Sequence, residues 1–229
     1  MRSQEIIEHP RESLSVIADR ESPEWSTPAR SLHSALLECE RAAHEQGLAA
    51  GLAAALDASA APVPAGPIAA LPADRVPAGA ELLAHRMAAL EAIAFVRREP
   101  ARAGAADGSA PFGALLGAAR LGVSRRLARW AVEHLSGRTV DGEPTIRKQL
   151  VLGTLADVLT GIEAARRCLQ VAGSLPAAVA DVHDRITELD WESAKLLGAS
   201  GFITDSPSRG AYVSRLVANC WVAREDGAL

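Results

Sequence analysis

The stretch TIRKQLVLGTLADVLTGIEAARRCLQV, residues 145–171, decides the fold class. Along it Leu152, Leu155, Leu159, Ile162, Ala165 and Leu169 recur every three or four residues, the period of one helix face. Segments of the same kind lie on both sides. Residues 111–136 carry Leu121, Ser124, Ala128, Ala131 and Leu135 in one stripe, and residues 176–198 carry Val179, Val182, Ile186, Leu189 and Leu196. The connections SGRTVDGEP and AGSLP are short and contain Gly or Pro, which makes successive helices antiparallel neighbours. No alternating strand pattern of useful length is present. The expected fold is all-α: an antiparallel helical bundle over 111–229, preceded by a shorter, proline-interrupted helical segment. Within the bundle region, ASGFITDSPSRG (199–210) reads as a loop.

Working outward from the bundle, residues 99–110 (EPARAGAADGSA) form a break. Residues 80–98 read as helix, with Leu83, Met87, Leu90, Ile93 and Ala94 on one face. Residues 58–79 hold five prolines and two glycines, which exclude a long helix and indicate a linker or an extended wrap. From Ser31, a candidate cap, to Leu56 the pattern is helical again, through Leu32, Ala35, Leu36, Cys39 and Ala43. Residues 1–29 are charged, carry Pro10, Pro23 and Pro28, and form a polar arm. The expected organisation is therefore an arm (1–29), an N-terminal helical segment (30–110) with its proline-rich linker, and the bundle (111–229).

Composition narrows the function. Aromatics are only 3%, so the core is built from Ala, Leu and Val, which suits closely packed helices. A net charge of −4 gives no basic field, so nucleic acid is not an expected partner. Cys39, Cys168 and Cys220 are too few and too scattered for a disulfide framework or a metal site. No stretch approaches the roughly 20 apolar residues of a membrane span, and no signal core opens the chain. A cytoplasmic protein without membrane contact or metal is expected. His85, His134 and His183 read as separate surface or core imidazoles. Asp181, His183 and Asp184 read as a solvated helix face, and Trp130, Trp191 and Trp221 as packing anchors.

Four pieces carry a resemblance. GVSRRLARWAVEHLSGRTVDG (122–142) is a glycine-led helix ending in an Arg-containing turn. Gln149 follows seven residues later. LADVLTGIEAARR (155–167) and the loop AKLLGASGFITDSP (194–207) complete the set in order. Together they resemble the C-terminal helical domain of acyl-CoA dehydrogenases, from about Gly113 to Pro207. The resemblance implies a four-helix bundle that makes subunit contacts and touches FAD across a subunit interface. By that resemblance Arg138 matches the Arg that pairs with the FAD pyrophosphate, for which a guanidinium is chemically suited. Gln149 matches a Gln near the flavin nucleotide. Gly198 and Gly201 match glycines that let backbone approach adenosine, and Lys195 replaces the Gln that opens the loop. Two departures stand beside these matches. Asp141 replaces a Phe beside the cofactor, and Ala199 replaces the second Gly of the pair.

The family removes a substrate proton with a Glu. Its usual position falls on Val222 and its minority position on Phe112, so neither is a carboxylate. The nearest acid is Glu225, the one in-chain candidate base. Three readings remain open. The first is a dehydrogenase-like subunit contributing FAD and subunit contacts for oxidation of an acyl thioester on CoA or a carrier protein. It would act as a homo- or hetero-oligomer through the bundle. The second is a non-catalytic dimerisation or scaffold module that has lost FAD. The third is a non-flavin enzyme on the same bundle. Each matched residue has a plainer reading beside these: Arg138 at a helix end also answers the helix dipole, and Gln149 is also an ordinary surface residue.

Overall fold

The computed structural model describes residues 26–59, 62–64, 66–98, 109–203 and 205–223. Residues 1–25 of the arm, 99–108 of the break and Glu225 lie outside them, while residues 26–29 and 109–110, expected in the arm and the break, open helices instead. Helix α1 (Ser26–Gln46) is followed by α2 (Leu48–Asp57), and then by strands β1 (Ile68–Pro72) and β2 (Leu82–Leu83). A short helix α3 (Arg86–Leu90) leads to β3 (Ile93–Arg97). The long helix α4 (Ser109–Ser136) ends in a hairpin of β4 (Thr139–Val140) and β5 (Glu143–Pro144). Helices α5 (Gln149–Ala172), α6 (Pro176–Leu196) and α7 (Ser208–Trp221) complete the bundle. The molecule is all-α in class, with a three-stranded sheet and the β4–β5 hairpin added among the described residues.

Helix α4 is the axis. It packs on α1 and α2 on one side and on α5, α6 and α7 on the other. The contacts fix the direction of each helix. Gly117 of α4 meets Leu169 of α5, so these two run antiparallel. Arg120 and Ser124 bond to His183 and Asp190 in rising order, so α6 runs parallel to α4. Phe112 packs against Trp221, with ring centroids 4.7 Å apart and the rings tilted by 58°, so α7 returns antiparallel. The result is an up-down-up-down bundle. The α1 side depends on small residues: a Cβ on Gly122 would strike the carbonyl of Glu40, and would lie 2.8 Å from Cβ of Ala43. The low aromatic content thus has a mechanical meaning, since backbones this close leave no room for rings.

Several expectations are corrected. The 31–56 helix is two helices, broken at Gly47, whose φ of +103° is open to glycine. The 80–98 segment is not a helix. Ala92 at φ +52° ends α3, and Ile93, Phe95 and Val96 then pair in β3. β3 is the central strand of an antiparallel sheet in the order β1-β3-β2, with Ala70 opposite Phe95 and Leu83 opposite Phe95 on the other edge. β-branched and aromatic residues outweighed a chance helical spacing because both strand edges found partners. The 199–210 stretch is a loop only in part: a 3-10 turn spans Gly198–Phe202, and α7 begins at Ser208 within it. In α5 the core face is Leu155, Val158, Ile162, Ala165 and Leu169, whereas Leu152 and Leu159 are exposed. Trp130 and Trp191 are likewise exposed, and only Trp221 is a buried anchor.

Candidate functional site

The residues singled out by the resemblance gather at one end of the bundle. The C-terminus of α4, the N-terminus of α5 and the C-terminus of α6 all lie there, because α4 and α6 run parallel and α5 opposite. Arg138 is exposed just past α4, with Nη1 3.4 Å from Nε2 of His134, and its carbonyl accepts from the Thr145 amide at 2.7 Å. Gln149 is exposed at the first position of α5. Lys195 is exposed in the last turn of α6, with Nζ donating to Glu192 at 2.6 Å. Gly198 has φ +59°, and nothing lies within 4 Å of where its Cβ would be, so its backbone is open to another molecule. Gly201 differs. It is buried against the Ala194 carbonyl, which alone explains why a Cβ is missing there. Asp141 and Gly142 stand at φ +56° and +79° in the tip of the β4–β5 hairpin, a backbone shape that Asp-Gly adopts readily. The donor set suits a phosphate, and the exposed Asp141 carboxylate opposes one.

The other end of the bundle holds both positions onto which the resemblance carries the family's base. Phe112 and Val222 are buried there together, next to Trp221. Trp221 Nε1 donates to the Ala70 carbonyl of β1 at 3.0 Å, so the small sheet seals this end. Among the described residues no carboxylate occupies either base position. Glu225, the remaining candidate, lies outside them. Arg138 and Phe112 are separated by nearly the whole of α4, a 28-residue helix about 40 Å long.

Between these ends lies a buried polar network that sequence reasoning missed. Arg120, on α4, is fully buried. Its Nε donates to Ser214 Oγ at 3.3 Å and its Nη2 to Thr187 Oγ1 at 2.9 Å. Its Nη1 meets the His183 carbonyl at 2.9 Å and His183 Nδ1 at 3.0 Å. Nε2 of His183 lies 2.9 Å from the Gly113 carbonyl, so His183 faces the core, not the solvated face expected for it with Asp181 and Asp184. Asp190 is buried too, and accepts from Ser124 Oγ at 2.5 Å through Oδ1. Its Oδ2 has no hydrogen-bond partner and stands 4.0 Å from Arg120 Nη2. Burial pushes the Asp190 carboxyl up to about 6 despite the opposing pull of Arg120 and Ser124. A signal was present in the sequence: Arg120 is the only charge between Pro111 and Ser124, inside an otherwise apolar helical run. Asp190 also lines a cleft of about 660 Å³ formed by α6, the turn Gly198–Phe202 and α7. Among the described residues no three His, Cys, Asp or Glu side chains form a metal-binding group, and no helix is long and apolar enough to cross a membrane.

Residues 113–221 match the family model described as acyl-CoA dehydrogenase, C-terminal domain. No curated protein matches the chain. Among solved structures, butyryl-CoA dehydrogenase from Megasphaera elsdenii superposes with a TM-score of 0.50 at 15% identity, covering 68% of this chain and 46% of that one. An acyl-CoA dehydrogenase from Geobacillus kaustophilus gives 0.49 at 15% identity, covering 63% and 47%. The chain therefore spans under half the length of these solved relatives. At 15% identity the likeness to the Megasphaera elsdenii enzyme speaks for the fold alone, and the family model speaks for the domain: residues 113–221 form a C-terminal helical domain of the acyl-CoA dehydrogenase type.

Proposed function

We propose that this chain is a subunit of an acyl-CoA dehydrogenase-like assembly, contributing cofactor and subunit contacts for oxidation of an acyl thioester whose base comes from another chain. One observation carries the reading. The phosphate-facing donors Arg138, Gln149 and Lys195 are exposed together with the open backbone of Gly198, while the base positions Phe112 and Val222 are filled and sealed. Arg138 is the residue suited to grip a pyrophosphate through paired N–H donors, with Gln149 and Lys195 beside it. FAD, when bound, would accept the hydride. With about 40 Å of α4 between the two ends, one chain does not bring both to the same cofactor, which favours sharing between copies or with a second polypeptide. The exposed stripe Leu152, Ala156 and Leu159 of α5 offers an apolar face for that contact. A cytoplasmic setting fits the assembly.

The test is absorbance near 450 nm of the purified chain, alone and after co-expression with the product of a neighbouring gene. Flavin that co-purifies in either form and is largely lost on Arg138→Ala supports the reading. Absence of flavin from both preparations would sink it. The second reading, a bundle retained for assembly without flavin, is favoured by Asp141, whose carboxylate stands where it would repel a phosphate. Asp141→Asn separates the two. Stronger flavin retention in this variant fits a weakened but real cofactor site, and no flavin in either form fits the assembly module.

A further inference from the structure

A second cleft, of about 420 Å³, opens at mid-length of α4, between the start of α2 and the start of α7. None of its walls comes from the Gly198–Phe202 turn. Arg126 of α4 lines it, about 18 Å along the helix from Arg138 and about 21 Å from Phe112, so the cleft is apart from both ends of the bundle. Arg126 is half-buried, and among the described residues it has no hydrogen bond and no ion pair. Its Nη1 lies 3.8 Å from where a Cβ of Gly47 would be, so the glycine leaves the guanidinium uncovered. A partly buried cation without a counter-charge is costly, and an anionic ligand removes that cost. The acids of the same cleft do not serve Arg126. Glu91 is held by Arg209 at 2.7 Å, with side chains 18% and 21% exposed. Asp205 stands 3.8 Å from Arg209 and is 89% exposed, where solvent screens its charge.

We propose that this cleft binds a small carboxylate with a flat apolar body, whose two oxygens accept paired N–H donors from Arg126. The charges select a monoanion. One unpaired guanidinium balances one negative charge, and its planar fork matches the two oxygens of a carboxylate. The second charge of a phosphate dianion would find no cation, because Arg209 is already taken by Glu91 and Asp205. The walls select the rest of the ligand. Trp130 follows Arg126 by one turn on the same face of α4 and keeps 45% of its surface in solvent. Leu90, 50% exposed, lines the cleft as well, and the buried Val123 and Leu127 complete its apolar wall. A ring tethered by its carboxylate at Arg126 would pack against the Trp130 indole, and a volume of this order holds one ring and a short chain.

The experiment uses the full chain and three probes, benzoate, benzamide and inorganic phosphate, titrated by isothermal calorimetry at low salt. Benzoate and benzamide share size and ring and differ in charge. Saturable benzoate binding, with benzamide weaker by about tenfold, is the expected result. A preference smaller than about threefold overturns the role of a cation, and no saturation by benzoate up to its solubility overturns the site. Phosphate binding tighter than benzoate overturns the carboxylate class. Arg126→Gln is expected to remove the preference for benzoate with the far-ultraviolet circular dichroism unchanged, and a preference kept in full by that variant places the binding elsewhere and overturns the proposal. Ala49→Phe, which adds a ring to the α2 wall of the cleft, is expected to abolish benzoate binding and serves the same purpose if Arg126→Gln does not fold. The outcome does not depend on flavin, so failure here leaves the proposed cofactor role standing, and the reverse holds.

Discussion

Glu40 and Asp190 are both buried acids of the helical core, and the cations within reach separate them. Burial would raise Glu40, but three hydrogen bonds of 2.8 Å from Arg166 and Arg125, with their charges, outweigh it and hold the carboxyl below its usual range. That stability is present above the usual carboxylate pKa and is lost as pH falls through the lowered one. Glu40→Gln is expected to cost roughly 1–3 kcal/mol near neutral pH in urea unfolding, with the difference shrinking in acid. Asp190 behaves in the opposite sense. Its carboxyl, raised to about 6, favours the protonated fold, so stability is fully present below the ordinary Asp value and is lost as pH rises through about 6. Relative to Asp190→Asn, the unaltered protein is expected to gain about 1 kcal/mol between roughly pH 7.5 and pH 5, read from urea midpoints. Neither acid was legible as a site. Glu40 looks like a surface charge on a helix, and only the arrival of α4 and α5 surrounds it with arginines.

At the scale of elements, α4 determines the architecture because small residues let other helices reach it. Gly122 meets backbone, the Glu40 carbonyl, which has no rotamer to move. Gly122→Ala is therefore expected to destabilise by about 1–3 kcal/mol, seen as a lower melting temperature, although Ala is the better helix former. The helical stripes of 111–136 and 176–198 were readable because their buried faces follow the 3.6-residue period. In α5 the reading merged two faces, since Leu152 and Leu159 are as apolar as Leu155 and Ile162 but point to solvent. The strands were unreadable for a different reason. β1 and β3 are five residues each, and their pairing partner lies some 25 residues away, so no local window contains the interaction that makes them strands.

At the scale of the whole molecule, the two ends of the bundle have different fates. One presents Arg138, Gln149, Lys195 and Gly198 outward, and the other is closed by Phe112, Trp221 and the small sheet. If the exposed face of α5 carries the subunit contact, Leu152→Glu combined with Leu159→Glu should reduce the mass in light scattering after gel filtration to that of one chain, with helicity unchanged. Retention of the larger species in that variant would move the contact elsewhere. Of the end proposed to meet a cofactor, the identities of Arg138, Gln149 and Lys195 were legible from motif order. Their convergence was not, because it depends on α4 and α6 running parallel.

The sequence by itself determined the helical class, the span of the three long helices and the departures at Asp141, Phe112 and Val222, since these depend on residue type and local period. Only the tertiary structure decided that Arg120, His183 and Asp190 form one buried network, that Gly201 serves its own helix end, and that a strand closes the base end. Gly201 meets the Ala194 carbonyl only because the chain turns at the end of α6, and the network and the closing strand share a longer-range reason. Burial and pairing are properties of what a side chain meets across the core, and residues 63 or 70 positions apart, such as Arg120 with His183 or Gly113 with His183, meet only after the bundle has closed.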